Sequence, residues 1–160
     1  MKIHVYTRDV NPDNYPEGLA HSVHFACEDE NGLKTHFNRD YGILFAKGRI
    51  ADDNTIVPLG VRNPKIFQTD DGEIGICAEK IHENGNVCEL SAGKLVLWKT
   101  RDLIHFDEEE IIPIEETEKW NPSESMDVDQ DIVREALKYW CPIFCTDISV
   151  PDKIMIPKGK

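Results

Sequence analysis

The chain is poor in positive charge, in long apolar runs and in any regular cysteine framework. Its 18 lysines and arginines face 30 aspartates and glutamates, for a formal net charge of −12. Phosphate recognition needs a basic surface, so nucleic acid is set aside as a partner. Anionic membranes are disfavoured for the same reason, and solubility alone accounts for an acidic surface. The longest apolar runs are of strand length, so no membrane-spanning helix is expected. The opening Met1-Lys2-Ile3-His4-Val5-Tyr6 lacks the apolar core of a secretory signal, which makes a cytoplasmic location the expectation. The 5 cysteines, Cys27, Cys77, Cys88, Cys141 and Cys145, are an odd number with irregular spacing. Cys27 and Cys77, with apolar neighbours, are expected as small core residues in a reducing compartment. Cys141 and Cys145 supply two sulfurs, and two ligands do not make a zinc site, so no metal and no cofactor is expected. No nucleophile motif surrounds any cysteine.

What the chain does have is a pattern that occurs twice. Residues 95–106 read Leu-Val-Leu-Trp-Lys-Thr-Arg-Asp-Leu-Ile-His-Phe, and residues 23–37 read Val-His-Phe-Ala-Cys-Glu-Asp-Glu-Asn-Gly-Leu-Lys-Thr-His-Phe. Each is an apolar strand, a charged turn carrying Asp102 or Asp29, and a His-Phe pair, His105-Phe106 or His36-Phe37. Recurrence at roughly 70 residues points to an array of similar β units, none of which buries both faces alone. The complete copy reads as four antiparallel strands, over 63–68, 73–79, 94–100 and 110–114. Pro64 stands near the start of the first, where a missing ladder donor is tolerated. Asp71-Gly72 closes the first hairpin, and residues 83–86 form a further polar turn. Four strands in succession with doubly covered apolar faces are expected to form a propeller blade.

These residues resemble a known family. Arg62-Asn63-Pro64-Lys65-Ile66-Phe67, then Asp71-Gly72, then Leu97-Trp98-x-Thr100-x-Asp102-Leu103-x-His105-Phe106 are similar to a blade of the five-bladed propeller glycosidases. The nearest type is glycoside hydrolase family 43, the α-L-arabinofuranosidase and β-xylosidase group. The resemblance covers roughly residues 1–115 and implies a mainly β fold of about two propeller blades. It also implies a carbohydrate partner, arabinose- or xylose-containing plant polysaccharide. The departure lies in the chemistry. Glycoside hydrolysis ordinarily uses two carboxyl groups, one as acid and one as base or nucleophile. Where the family's blade motif carries the Asp of Asp-Pro, this chain has Asn63, and an amide is no base near neutral pH. No Asp-Pro dipeptide occurs, and the Glu-Gly-Pro signature of the family's acid is missing as well. Catalytic residues are therefore not assignable from the sequence.

The organisation expected is an incomplete first blade over 1–60, a complete four-stranded blade over 61–115, an acidic linker and amphipathic helix over 116–141, and terminal strands over 142–160. A five-bladed propeller needs about twice this length at roughly 50–60 residues per blade, so the chain reads as an N-terminal portion of a larger enzyme. Propellers often close by borrowing a strand from the far end of the chain, which fits the missing first strand of the opening blade. The helix is expected to start from Ser123 or Ser125 as N-cap and to end near Trp140, with Val128, Ile132, Val133, Ala136 and Leu137 as its apolar stripe. The terminal strands weakly resemble the start of an immunoglobulin-like insertion, or else extend the propeller-like sheet. In the His-Phe pairs, the phenylalanines are expected between sheets and the histidines as turn caps, and Trp98 as core. The substrate-binding candidates are Arg62 and Asn63 on the first strand, with Trp120 and Tyr15 as aromatic platforms. Three functions follow: an inactive portion of a family 43-like glycosidase, a non-catalytic carbohydrate-binding β module, or an interaction module. Exposed sheet edges would then recruit the remaining blades or a second copy.

Overall fold

The computed structural model describes residues 1–82 and 92–141. The chain runs through β1 (Lys2–Tyr6), α1 (Glu17–Ala20), β2 (His24–Glu28), β3 (Lys34–His36) and a 3-10 turn (Phe37–Asp40). The strands β4 (Arg49–Ile50), β5 (Ile56–Val57), β6 (Gly60–Gln68), β7 (Ile74–Ile81), β8 (Lys94–Thr100) and β9 (Glu110–Pro113) follow. It closes with α2 (Ile114–Glu118), β10 (Ser125–Asp127) and α3 (Gln130–Trp140). The protein is mainly β, with antiparallel sheets and a C-terminal helix among the described residues. Two of these sheets have four strands, in the orders β10-β1-β2-β3 and β6-β7-β8-β9, and β4 with β5 forms a two-stranded ribbon.

The second sheet is the four-stranded meander expected from residues 61–115. Its strands alternate between two apolar faces, as sheets covered on both sides do. Val61, Ile66, Ile74, Ile76, Ala78, Val96 and Trp98 enter the main core, which they share with Ile3, Val5 and Phe25 of the first sheet and with Val23 just before β2. Phe67, Cys77 and Leu97 point the other way and pack with Leu95, Ile112 and Trp120. Cys27 and Cys77 are free and buried, as expected of core thiols. Gly72 closes the β6–β7 hairpin at a φ of 83°, a conformation that Asp-Gly turns favour.

The two copies of the repeat share one turn device. Asp102 Oδ1 accepts from the backbone N–H groups of Ile104 (2.9 Å) and His105 (2.8 Å). Asp29 Oδ1 does the same for Asn31 and Leu33, each at 2.9 Å. These Asx turns satisfy backbone donors that the reversal would otherwise leave without a partner. Phe37 and Phe106 both pack on Phe25, with centroids 6.2 and 5.9 Å away.

The first sheet differs from the expectation in one respect. It takes a fourth strand from β10, inside the segment read as linker and helix, with Ile3 opposite Met126 and His4 opposite Ser125. Backbone bonds between Ile66 and Ser123, at 2.7 and 3.1 Å, tie the start of that return to β6. The pairing holds Ser125 in an extended strand, so neither it nor Ser123 caps the helix. Asp129 does, accepting from the N–H groups of Asp131 and Ile132. Val133 and Ala136 of α3 then seat in the core, and Trp140 Nε1 donates to the Leu103 carbonyl at 2.8 Å. The turn read over 83–86, Cys88, Cys145 and the terminal strands over 142–160 lie outside the described residues.

Candidate functional site

At the end of β1 the register puts Tyr6 opposite His24 of β2. The chain then passes Arg8 and a loop closed on itself by reciprocal backbone bonds between Asn11 and Tyr15, and the loop brings Tyr15 back to the same place. From the other side, β3 ends at His36 and the 3-10 turn delivers Asp40. These six side chains, Tyr6, Arg8, Tyr15, His24, His36 and Asp40, converge.

Asp40 is buried and forms the hub. Its Oδ1 accepts from the Tyr6 hydroxyl at 2.6 Å, and its Oδ2 accepts from Arg8 and, at 3.0 Å, from the Tyr15 hydroxyl. Because Tyr6 spends its single proton on Asp40, its oxygen accepts from His36 Nδ1 at 2.5 Å. The Arg8 guanidinium lies over both tyrosine rings, 5.2 and 5.5 Å from their centroids. The His24 ring stacks on Tyr6 at 5.5 Å and meets Tyr15 edge-on at 6.0 Å.

Burial alone would raise the Asp40 carboxyl, but the bonds from Tyr6 and Arg8 overcome it and hold the group below its ordinary range. Burial, then the Asp40 carboxylate, push both phenols up, so they remain protonated donors. His24 is pulled down by burial despite its bond to Ser22. Its Nδ1 lies 3.0 Å from the Ser22 carbonyl oxygen, which can only accept. The neutral imidazole therefore carries its proton on Nδ1 and presents a lone pair at Nε2.

Two observations set this cluster apart from an ordinary buried network. The first is backbone strain. Asn38, Arg39 and Asp40 have φ values of 53°, 55° and 64°, three successive non-glycine residues in the left-handed region. Each costs about 1–3 kcal/mol, and such strain collects at functional sites. The Asn38 side chain holds the turn by donating to the Gly42 carbonyl at 3.0 Å. Gly42 itself has a φ of 91°, and a Cβ there would run into Ser22 Oγ. The second is that Arg8 Nε and His24 Nε2 are buried without a hydrogen-bond partner, a state native proteins rarely leave unused.

Of the residues singled out from the sequence, Tyr15 belongs to this cluster. Arg62 and Asn63 instead face each other across one carboxylate: Arg62 Nε donates to Glu79 Oε1 at 2.8 Å and Asn63 Nδ2 to Oε2 at 3.1 Å. Burial would raise Glu79, and the two bonds hold it below its usual range instead. Asn63 has a φ of 52° and sits in a β-bulge between Arg62 and Lys65, another device that re-aims side chains. Trp120 stacks on Phe67 with centroids 4.9 Å apart, donates from Nε1 to Asp70 at 3.0 Å, and carries the Lys119 ammonium 4.7 Å from its ring centre. It anchors the outer face of the second sheet. His36 and His105 part ways: His105 caps its turn on Asp102 at 2.7 Å, whereas His36 joins the cluster.

Tyr6, Arg8, His24 and Asp40 were not singled out from the sequence. The one signal was His24, a lone ionisable residue in the apolar run Val23-His24-Phe25-Ala26-Cys27. Elsewhere, a groove of about 520 Å³ lies at the opposite end of β1, where Lys2, Glu28, Asp29, Glu30 and Asp127 line it. Its Met1 ammonium is already bonded to the Val128 carbonyl at 3.0 Å. Among the described residues, no group of three or more His, Cys, Asp or Glu side chains is placed to hold a metal ion. None of the described helices is long and apolar enough to cross a membrane.

In comparisons with known proteins, no family model, no curated protein and no solved structure matches the chain.

Proposed function

We propose that this chain is the N-terminal portion of a glycosidase resembling glycoside hydrolase family 43, acting on arabinose- or xylose-containing plant polysaccharides. In this reading the portion binds sugar and does not cleave it. The observation that carries the reading is the Tyr6–Arg8–Tyr15–His24–His36–Asp40 cluster. Sugar sites combine aromatic faces, which suit C–H surfaces, with fixed polar groups that orient hydroxyls. The meander of β6 to β9 against a second four-stranded sheet is consistent with two neighbouring blades.

The same cluster favours binding over hydrolysis. It holds one carboxylate, and both oxygens of that carboxylate already accept hydrogen bonds. Glycoside cleavage ordinarily needs a second carboxyl across the scissile bond. Glu79, the other carboxylate beside candidate residues, is engaged by Arg62 and Asn63. A non-catalytic carbohydrate-binding module is therefore the second reading, and an interaction module with no sugar chemistry the third.

The test is calorimetric titration of the purified chain with arabino- and xylo-oligosaccharides, beside assays on aryl α-L-arabinofuranoside and β-D-xyloside. Binding without turnover is expected, in the wild type and in Asn63→Asp alike. Tyr15→Ala should weaken binding about tenfold, the equivalent of ~1.4 kcal/mol. Turnover by the wild type would overturn the binding-only reading. A folded chain that takes up none of these sugars would overturn the carbohydrate reading, and a self-assembled or partner-bound form would then favour the interaction module.

A further inference from the structure

The two buried atoms without partners are of opposite kind. Arg8 Nε–H is a donor, and His24 Nε2, with the ring proton on Nδ1 facing Ser22, is an acceptor. Both side chains lie against the same pair of rings, Tyr6 and Tyr15. A carboxylate or phosphate would satisfy Arg8 but would meet a lone pair at His24. A cation would suit the lone pair but would face the guanidinium. A hydroxyl does both jobs, accepting from Arg8 and donating to His24.

We infer that Arg8 and His24 form a receptor for one hydroxyl group of a neutral sugar or polyol, with Tyr6 and Tyr15 as its walls. This inference rests on the carbohydrate reading above and assigns its hydroxyl-recognising residues. Asp40 is a positioning residue: it engages a terminal nitrogen of Arg8 and orients both phenols, while the buried Arg8 Nε–H has no partner. His24 is fully buried, while Tyr6, Arg8 and Tyr15, which lie against it or against each other, are partly exposed. Tyr15 sits at the end of the Asn11–Tyr15 loop, outside the strands, with its hydroxyl on Asp40.

The experiment is long-range ¹H–¹⁵N spectroscopy of the histidine rings in the full chain, with calorimetry on the same samples. The probes are an arabino-oligosaccharide, a xylo-oligosaccharide, inositol and acetate. His24 Nε2 should move upfield on accepting a hydrogen bond from either sugar, with no added proton on the ring. Arg8→Lys keeps a cation for Asp40 and removes Nε–H; His24→Phe keeps a ring and removes the acceptor. Each should lose about tenfold in sugar affinity while the amide spectrum of β7 and β8 stays unchanged. Sugar binding with His24 Nε2 unmoved would overturn this inference and leave the carbohydrate reading standing. Inositol moving Nε2 while no sugar binds would uphold the hydroxyl receptor and overturn the carbohydrate reading. A response to acetate alone, or a resonance at the hydrogen-bonded position that no probe alters, would overturn the inference: the site would be an anion site or hold only a structural water.

Discussion

The histidines of the two repeat copies show how little a shared motif constrains a side chain's role. His105 donates to Asp102 Oδ2 at 2.7 Å inside its own turn, while His36 is drawn out of the turn to Tyr6. Burial would raise the Asp102 carboxyl, but the His105 side-chain and backbone bonds, with Ile104 and Thr100, bring it from its ordinary 3.8 to about 2. A carboxyl whose folded value is depressed stabilises the fold above its unfolded value, and that contribution is lost as pH falls through the folded one. Asp102→Asn should therefore be less stable than the wild type above pH about 4, with the difference shrinking as pH falls from about 4 towards about 2. Urea unfolding of both proteins across that range checks it, and a difference that stays constant would show that Asp102 acts through the neutral hydrogen bonds alone. At this scale the sequence was partly legible. Tyr15 stood out because Asn14-Tyr15-Pro16-Glu17-Gly18 is rich in turn formers. Asp40 did not, because its position depends on three left-handed residues with no glycine among them, which composition gives no reason to expect. Arg8 and Tyr6 look like the polar end of an ordinary strand until the fold brings them to His24.

Among the elements, one strand marked by a continuous apolar run was readable to the residue, while its neighbours were placed to within one to three residues. β8 spans Lys94–Thr100 as the pattern of Leu95 to Trp98 implies. β6 begins at Gly60, earlier than the alternation suggests, because the bulge between Arg62 and Lys65 shifts the two-residue period partway along it. β7 carries a glycine near its start. Gly75 pairs with Phe67 across the ladder, and a Cβ on Gly75 would stand 2.5 Å from the Phe67 ring. The phenylalanine thus covers a bare stretch of backbone and stacks in turn on Trp120, the cross-strand arrangement known as aromatic rescue. Phe67 is fully buried and Trp120 lies against its ring, so it has nowhere to retreat. Gly75→Ala should cost about 1–3 kcal/mol through overpacking, and Trp120 fluorescence should shift as the stack is displaced. A stable variant with unchanged emission would mean that the ring moves freely and the stack contributes nothing.

At the scale of the molecule, the unreadable step was the return of β10 to the first sheet. Three residues are too few to show a period, and Ser125-Met126-Asp127 sits among acidic residues that equally suit a helix start. The return matters because it changes what the folding unit is. Two sheets with separate cores would each unfold alone, but here Ile3, Val5 and Phe25 of the first sheet share one core with Ile66, Ile76 and Trp98 of the second, and Val133 and Ala136 of α3 enter it as well. β6 packs directly on β1 and β10. A single shared core is expected to open as one cooperative unit. Val133→Ala removes two methyl groups from a fully buried site and should cost about 1–3 kcal/mol. If the unit is single, native-state hydrogen exchange will show the same loss of protection at Phe25 in β2 and at Ile76 in β7, far apart in sequence and on different sheets. If the sheets are independent units that merely touch, the loss will be confined to one of them. The second outcome would make the two sheets separable folding units, with α3 and β10 serving only one of them.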